Sequence, residues 1–335
     1  MAKKFRILSI DGGGIRGIVP GVILAALERK IQVKTKNLNA RLSDYFDLIA
    51  GTSTGALLAC AYTCPNLKGK NKFSAKEALD FYLKNGGDIF TPPIKKRIFS
   101  LWGFIDEKHD ETVIESILQR EFRTVKLSEL LKPTLVVAYN IDNRKSDTKY
   151  KIQVFRQHKA KKNKKDDFYV KDMLRGTTAA PAYFEPNQTK SLTNTNYPLI
   201  DGGVIANNPS MCAYIEAKKL RKNLKNKDIV LVSLGTGNVV ENYPYEKARN
   251  WGKVGWAFSI LDIALDGGPI ITNYFLEQIF EHDGGKYYRF NPRLRFAKHN
   301  LDDGTKENIH NLYRDGVDAA AQYDKELDKI IKDII

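Results

Sequence analysis

The chain has 335 residues, enough for one large α/β domain or two smaller ones, and 42% of them are hydrophobic, which supports a sizeable core. A formal charge of +15, from 54 Lys and Arg against 39 Asp and Glu, favours anionic partners such as lipid head groups or nucleotides. Three cysteines (Cys60, Cys64 and Cys212) provide no disulfide framework, and no run of about 18 apolar residues exists to span a membrane.

Met1 to Phe5 carries two lysines, but the apolar run behind them is too short for a signal peptide. Phe5–Ile10 reads as a buried strand that runs directly into Asp11-Gly12-Gly13-Gly14-Ile15-Arg16-Gly17. Ile18 to Ile31 then shows helical periodicity, with Pro20 in its first turn. Gly12, Gly14 and Gly17 satisfy G-x-G-x-x-G, the dinucleotide fingerprint. That fingerprint also needs an acidic residue about 20 positions on. Residues 29–43 hold no Asp or Glu, which argues against a nicotinamide dehydrogenase and leaves phosphate binding open. The physical alternative is an oxyanion hole, because consecutive glycines let backbone N–H groups face a cleft unobstructed.

Asp47 to Ala50 is a second apolar run, Gly51-Thr52-Ser53-Thr54-Gly55 turns, and a helix of small residues leaves. This is G-x-S-x-G in strand–turn–helix context, the nucleophile elbow, with Gly51 and Gly55 allowing close strand–helix approach. Cys60 and Cys64 lie on that helix without metal-ligand spacing and read as core residues; no metal site is expected. Ser74-Ala75-Lys76-Glu77 is a capping box that opens a helix to about Lys84. The segment from Ile89 to Phe104 is apolar and basic together and reads as a surface insertion or the border of a lipid entrance.

A helix follows to Phe122, then strands at Thr134–Tyr139 and Lys151–Phe155, then the basic tip Lys159 to Lys165, read as a solvated loop or an anion contact. Tyr169 to Thr178 is helical and runs into Ala179-Ala180-Pro181. Tyr197–Ile200 is a short strand that ends in Asp201-Gly202-Gly203, and Asn207-Asn208-Pro209 opens a helix to about Lys222. Ile229–Leu234 is a buried strand that ends in Gly235-Thr236-Gly237. From 250 to 281 the chain is rich in Trp, Phe, Ile and Leu but interrupted by Asp266-Gly267-Gly268-Pro269, as core helices or as a lid or interfacial helix pair. Thr305 to Ile335 is mostly helical, for packing on the domain or on a second subunit.

Strands that end in glycine-rich loops and lead into helices define a three-layer α/β/α sandwich, with a mainly parallel sheet and its site at the strands' carboxyl ends. One catalytic domain, residues 1–335, is expected, with the motifs between about 5 and 240 and a C-terminal helical part from about 250 that packs on it or forms a lid.

A serine hydroxyl needs a base. The five histidines (His109, His158, His282, His299 and His310) carry no signature, whereas Asp201 ends a strand on the same expected edge as Ser53. Together these pieces resemble the patatin-like phospholipase family, related in fold to the cytosolic phospholipases A2. Asp11 to Gly17 is similar to its oxyanion loop, and Gly51 to Gly55 to its elbow. Thr177 to Pro181 resembles its Ala-Ser-x-Ala-Ala-Pro block, with threonines where the family often has Ala-Ser. Asp201-Gly202-Gly203 is similar to its catalytic Asp-Gly-Gly/Ala motif.

The resemblance implies a Ser53–Asp201 dyad without histidine or cofactor. Its oxyanion hole would use N–H groups of Gly12, Gly13, Gly14 and Thr54, with Arg16 either holding the loop or meeting a phosphate. The implied reaction is hydrolysis of fatty acyl esters of membrane phospholipids through an acyl-serine. Calcium is not implied. A weaker resemblance is to bacterial patatin-like effectors of anti-phage defence. It implies a cyclic nucleotide activator, a cytoplasmic protein peripheral to the inner membrane when active, and no nucleic acid polymer as partner; a homo-oligomer stays open. Two rival readings remain: an esterase with a Ser–Asp–His triad through His282 or His299, and a nucleotide- or phosphate-binding protein that uses Gly12–Gly17.

Overall fold

A computed structural model describes residues 4–90, 111–142, 144, 150–238 and 243–335. The expectations for 91–104 and for His109 fall outside the described residues. The sheet has eight strands: β1 (Phe5–Ile10), β2 (Leu48–Thr52), β3 (Thr134–Asn140), β4 (Ile152–Arg156), β5 (Asn187–Lys190), β6 (Asn196–Asp201), β7 (Ile229–Leu234) and β8 (Lys286–Phe290). Their order is β5-β6-β3-β2-β1-β7-β8, and β4 pairs with β3. From β3 to β8 the five central strands run parallel, while β4 and β6 each pair antiparallel with β3 on its two edges and β5 pairs antiparallel with β6.

The helices of the structure are α1 (Ile18–Thr35), α2 (Thr54–Thr63), α3 (Ala75–Phe90), α4 (Glu111–Phe122), α5 (Val170–Thr177), α6 (Ser210–Leu220), α7 (Lys253–Asp283), α8 (Lys306–Gln322) and α9 (Asp324–Ile334), joined by shorter turns. Alternation along the strands separates two apolar layers, as expected of side chains that point to opposite faces. Leu8, Ile10, Ile49, Val136, Val230 and Val232 face one cluster with residues of α1–α5, α8 and α9. Ile7, Leu48, Leu135, Val137, Ile229 and Leu231 face the other, with α6 and Leu276 and Phe280 of α7. This is the mixed α/β fold with a mostly parallel central sheet expected from the sequence.

Three elements differ from the sequence reading. The stretch read as an interrupted helix pair is one helix, α7, which carries Pro269 inside it. Strands β5 and β8 were not expected: Asn187–Lys190 has no apolar run, and Lys286–Phe290 alternates only weakly. The capping box at Ser74 forms as read, with the Glu77 N–H donating to Ser74 Oγ (3.2 Å) and the Ser74 N–H to Glu77 Oε2 (2.8 Å). The tail helices pack on α1, where Leu312, Leu327, Ile330 and Ile334 join the first apolar cluster.

Candidate active site

The loop after β1, the turn after β2 and the loop after β7 meet at the carboxyl ends of three adjacent parallel strands, beside the position where chain order changes direction. At the centre is Ser53, with φ 52° and ψ −123°, a backbone region rare for a residue with a Cβ. The strain follows from the join, because β2 must reverse into α2 within one residue. It also requires Gly51 and Gly55, since a Cβ at Gly55 would overlap the Ile10 carbonyl and one at Gly51 the Gly55 carbonyl. The turn is held by hydrogen bonds to its neighbours. The Ser53 N–H donates to Thr177 Oγ1 (3.0 Å), whose hydroxyl donates to the Val137 carbonyl (2.5 Å). Thr52 Oγ1 donates to the Ala206 carbonyl (2.8 Å), and Thr54 exchanges hydrogen bonds with the buried Tyr82 hydroxyl (2.7 and 2.8 Å).

The glycine loop is pinned on several sides. The Asp11 N–H donates to Leu234 O (2.9 Å), Ile15 N–H to Leu301 O (3.0 Å), and Thr236 Oγ1 to Gly12 O (3.0 Å). Gly14 has φ +56°, which a residue with a Cβ would adopt only under strain. The Gly12 N–H donates to the Asn207 carbonyl (3.0 Å). Gly12 therefore cannot also offer that proton to a substrate, a correction to the expected set of four donors. The N–H groups of Gly13, Gly14 and Thr54 have no acceptor among the described residues, and all three residues line one cleft with Ser53.

Under this loop lies a feature that motif reading missed. Arg289 of β8 clasps Asp11 with both guanidinium ends, Nη1 to Oδ1 (3.0 Å) and Nη2 to Oδ2 (2.5 Å). Arg289 also donates to Ser233 Oγ (2.8 Å), which accepts from Ser210 Oγ (2.9 Å). Burial pushes the Asp11 carboxyl up from the ordinary range, and the guanidinium pulls it back. The one sequence signal was an arginine in a strand otherwise aromatic and apolar at Tyr287, Tyr288 and Phe290.

Asp201 reaches Ser53 by an unusual register. Ala138 of β3 pairs with Gln153 on one edge and with Asp201 on the other, while the preceding Val137 pairs with Thr52. Strand β6 thus continues the line of β2 from the opposite direction, and the two carboxyl ends meet head-on. Asp201 stands on the edge expected from the sequence, but the strand that carries it is antiparallel to the central ones. Gly202 is required at this junction, because a Cβ there would overlap the Val137 carbonyl. Asp201 is 4% exposed, and its Oδ1 accepts from the Gly203 N–H (2.7 Å). Burial raises its carboxyl to about 6, against the opposing hydrogen bonds from the Ser53 hydroxyl and the Gly203 amide.

The cleft encloses about 730 Å³, its open mouth included. Its walls are apolar, with Leu57, Phe81, Phe90, Ile114, Phe184 and Leu265, and Arg16 stands at the loop side, 5% exposed. No described histidine lines it. His158 is instead paired with Glu216 (3.1 Å). A hydroxyl beside a carboxylate, three N–H groups without an acceptor among the described residues and a mainly apolar trough form an arrangement suited to acyl transfer from a long-chain ester.

That class of serine hydrolase matches what the chain is similar to. The family model of the patatin-like phospholipases matches residues 8–214, and the chain belongs to that family of lipid acyl hydrolases. Patatin group J-1 of Solanum tuberosum is 31% identical over 336 residues, which cover 94% of this chain and 84% of that protein. Patatin-like protein 1 of Arabidopsis thaliana is 31% identical over 341 residues, covering 92% and 80%. A third relative at 31% identity, covering 84% of this chain and 76% of its own, bears the name probable inactive patatin-3-Kuras 1, also of Solanum tuberosum. A relative of equal identity is thus named as inactive, so catalysis depends on the site residues themselves.

Proposed function

We propose that this chain hydrolyses fatty acyl esters of membrane phospholipids by a two-residue mechanism. The Asp201 carboxylate takes the Ser53 proton as the Ser53 oxygen attacks the ester carbonyl. The carbonyl oxygen becomes an oxyanion that accepts from the Gly13, Gly14 and Thr54 N–H groups. The C–O bond to the glycerol breaks, and its oxygen takes the proton from Asp201. Water then attacks the acyl-serine, giving its proton to Asp201, and the fatty acid leaves with Ser53 restored. The observation that carries this reading is the head-on meeting of β2 and β6, which buries the Asp201 carboxylate against the elbow serine. A carboxyl held near 6 is ionised at neutral pH and basic enough to accept a proton in the transition state.

The test is labelling by a fluorophosphonate serine probe, with phospholipid hydrolysis measured alongside. Expected is labelling at Ser53, and loss of hydrolysis in Ser53→Ala and in Asp201→Asn. Full hydrolysis in purified Ser53→Ala would sink the proposal. Changing His282 or His299 to Ala is expected to leave the rate within twofold; a large loss favours the triad instead. The finer reading, a cyclic-nucleotide-activated effector of anti-phage defence acting at the inner membrane, is supported by the family resemblance and the basic chain. It is tested by repeating the assay with and without cyclic nucleotides.

A further inference from the structure

Helix α7 is apolar on two opposite sides. Its inner side carries Leu265, which lines the catalytic cleft, and Leu276 and Phe280, which pack on the sheet. Its backbone is tied to the site as well, because Asn207 Nδ2 donates to the Leu265 carbonyl (2.8 Å) and the Asn207 carbonyl holds Gly12. The outer side should then be polar, as on an ordinary surface helix. Instead Trp256, Ile260, Ile263, Ile270, Ile271 and Tyr274 recur at the helical repeat and are 37–70% exposed. Between 256 and 275 one described charged side chain, Asp266, is exposed at the border of this stripe, between Ile263 and Ile270.

We infer that the outer side of α7 is a docking surface for a phospholipid bilayer. The inference rests on the proposed function for its choice of occupant, because a lipid surface is where that substrate lies. Two observations favour lipid. The stripe lies on the helix that roofs the cleft, so docking through it brings the cleft to the bilayer. Exposed Tyr245 and Lys247 precede the helix, with Arg249 paired to Glu246 (3.3 Å), next to Trp251, which packs edge-on against Trp256. Aromatic and basic groups together suit the head-group region of an anionic membrane, as does the charge of +15.

The test uses the full chain carrying Ser53→Ala, so that lipid is not consumed, and sedimentation with phosphatidylcholine vesicles with and without phosphatidylglycerol. Ile260→Ser, Ile270→Ser and Ile271→Ser combined should weaken vesicle partition by roughly tenfold or more. In the Ser53 background, the same three changes should slow hydrolysis of vesicle lipid while leaving a short soluble ester unaffected. A single Ile270→Trp should strengthen partition, which a misfolded protein cannot do. Unchanged vesicle binding in the triple variant overturns the inference. So does a shift from dimer to monomer in light scattering with vesicle binding intact, which would assign the stripe to a second copy of the chain. If the wild-type chain binds vesicles but cleaves neither ester, the proposed function fails and the docking surface stands.

Discussion

Replacing Arg289 by Met removes a guanidinium that makes two contacts with Asp11 and one with Ser233, in a place where Asp11 is 2% exposed and the Arg289 side chain 12%. Methionine fills most of the volume, so the main loss is electrostatic: one charge of a buried pair is left without its partner. Such one-sided losses cost about 3–5 kcal/mol, which for a chain of this size lowers Tm by roughly 4–7 °C. The pH dependence has a definite sign. Burial raises the Asp11 carboxyl and Arg289 opposes that rise, so the variant's Asp11 protonates at higher pH. The stability gap between wild type and variant is therefore widest at high pH and narrows as pH falls.

The catalytic effect follows from what Asp11 begins. It opens the loop that aims the Gly13 and Gly14 N–H groups, and losing oxyanion donors costs about a hundredfold or more in kcat. Apolar contacts in the cleft are untouched, so KM should change little. Arg289→Lys keeps the charge but not the two-pronged contact, and should recover part of both losses. The double variant Asp11→Asn with Arg289→Met, which leaves no buried charge, should be more stable than Arg289→Met alone. Thermal unfolding across pH and hydrolysis of a soluble ester measure all of this. A variant that loses the expected stability yet keeps wild-type kcat would falsify the idea that Arg289 positions the loop.

The pH profile of hydrolysis should show an acid limb near 6, rate falling as pH drops and Asp201 protonates; a limb set by histidine would instead move in His282→Ala or His299→Ala. Thr177→Val leaves the Ser53 N–H without its acceptor, which should cost about 1–3 kcal/mol in denaturant unfolding and lower kcat, while Thr177→Ser should restore both. Gly55→Ala sets a Cβ against the Ile10 carbonyl, a backbone atom that cannot swing away, so expression of folded protein or at least several degrees of Tm should be lost.

What could be read from the sequence was whatever a local pattern encodes. Strands such as Ile229–Leu234 and the turn at Ser53 depend on residues adjacent in sequence, and they occur where their patterns placed them. The pairing of strands is set by contacts far apart along the chain. That is why Asp201 could be placed on an edge by its glycines, while the antiparallel approach of β6 could not. Gly12 shows the same limit from the other side. Its composition promised a donor, and only the fold reveals that Asn207 takes that proton. Arg289 lies beyond the residues that the family model matches, in a strand too weakly patterned to be read as one. A proline normally ends a helix, yet α7 runs through Pro269, with Leu265 before it and Leu276 after it buried.

The support that β8 lends to the glycine loop also has a temporal side. A chain leaves the ribosome from its N-terminus, so Ser53 and then Asp201 emerge while Arg289 is still unmade. Until β8 adds to β7, nothing clasps Asp11, and Leu301 is absent from the Ile15 N–H. A nascent or truncated chain thus carries Ser53 and Asp201 without a pinned glycine loop. For an enzyme proposed to cut the lipids of membranes around it, this order of synthesis would withhold activity until the sheet is complete.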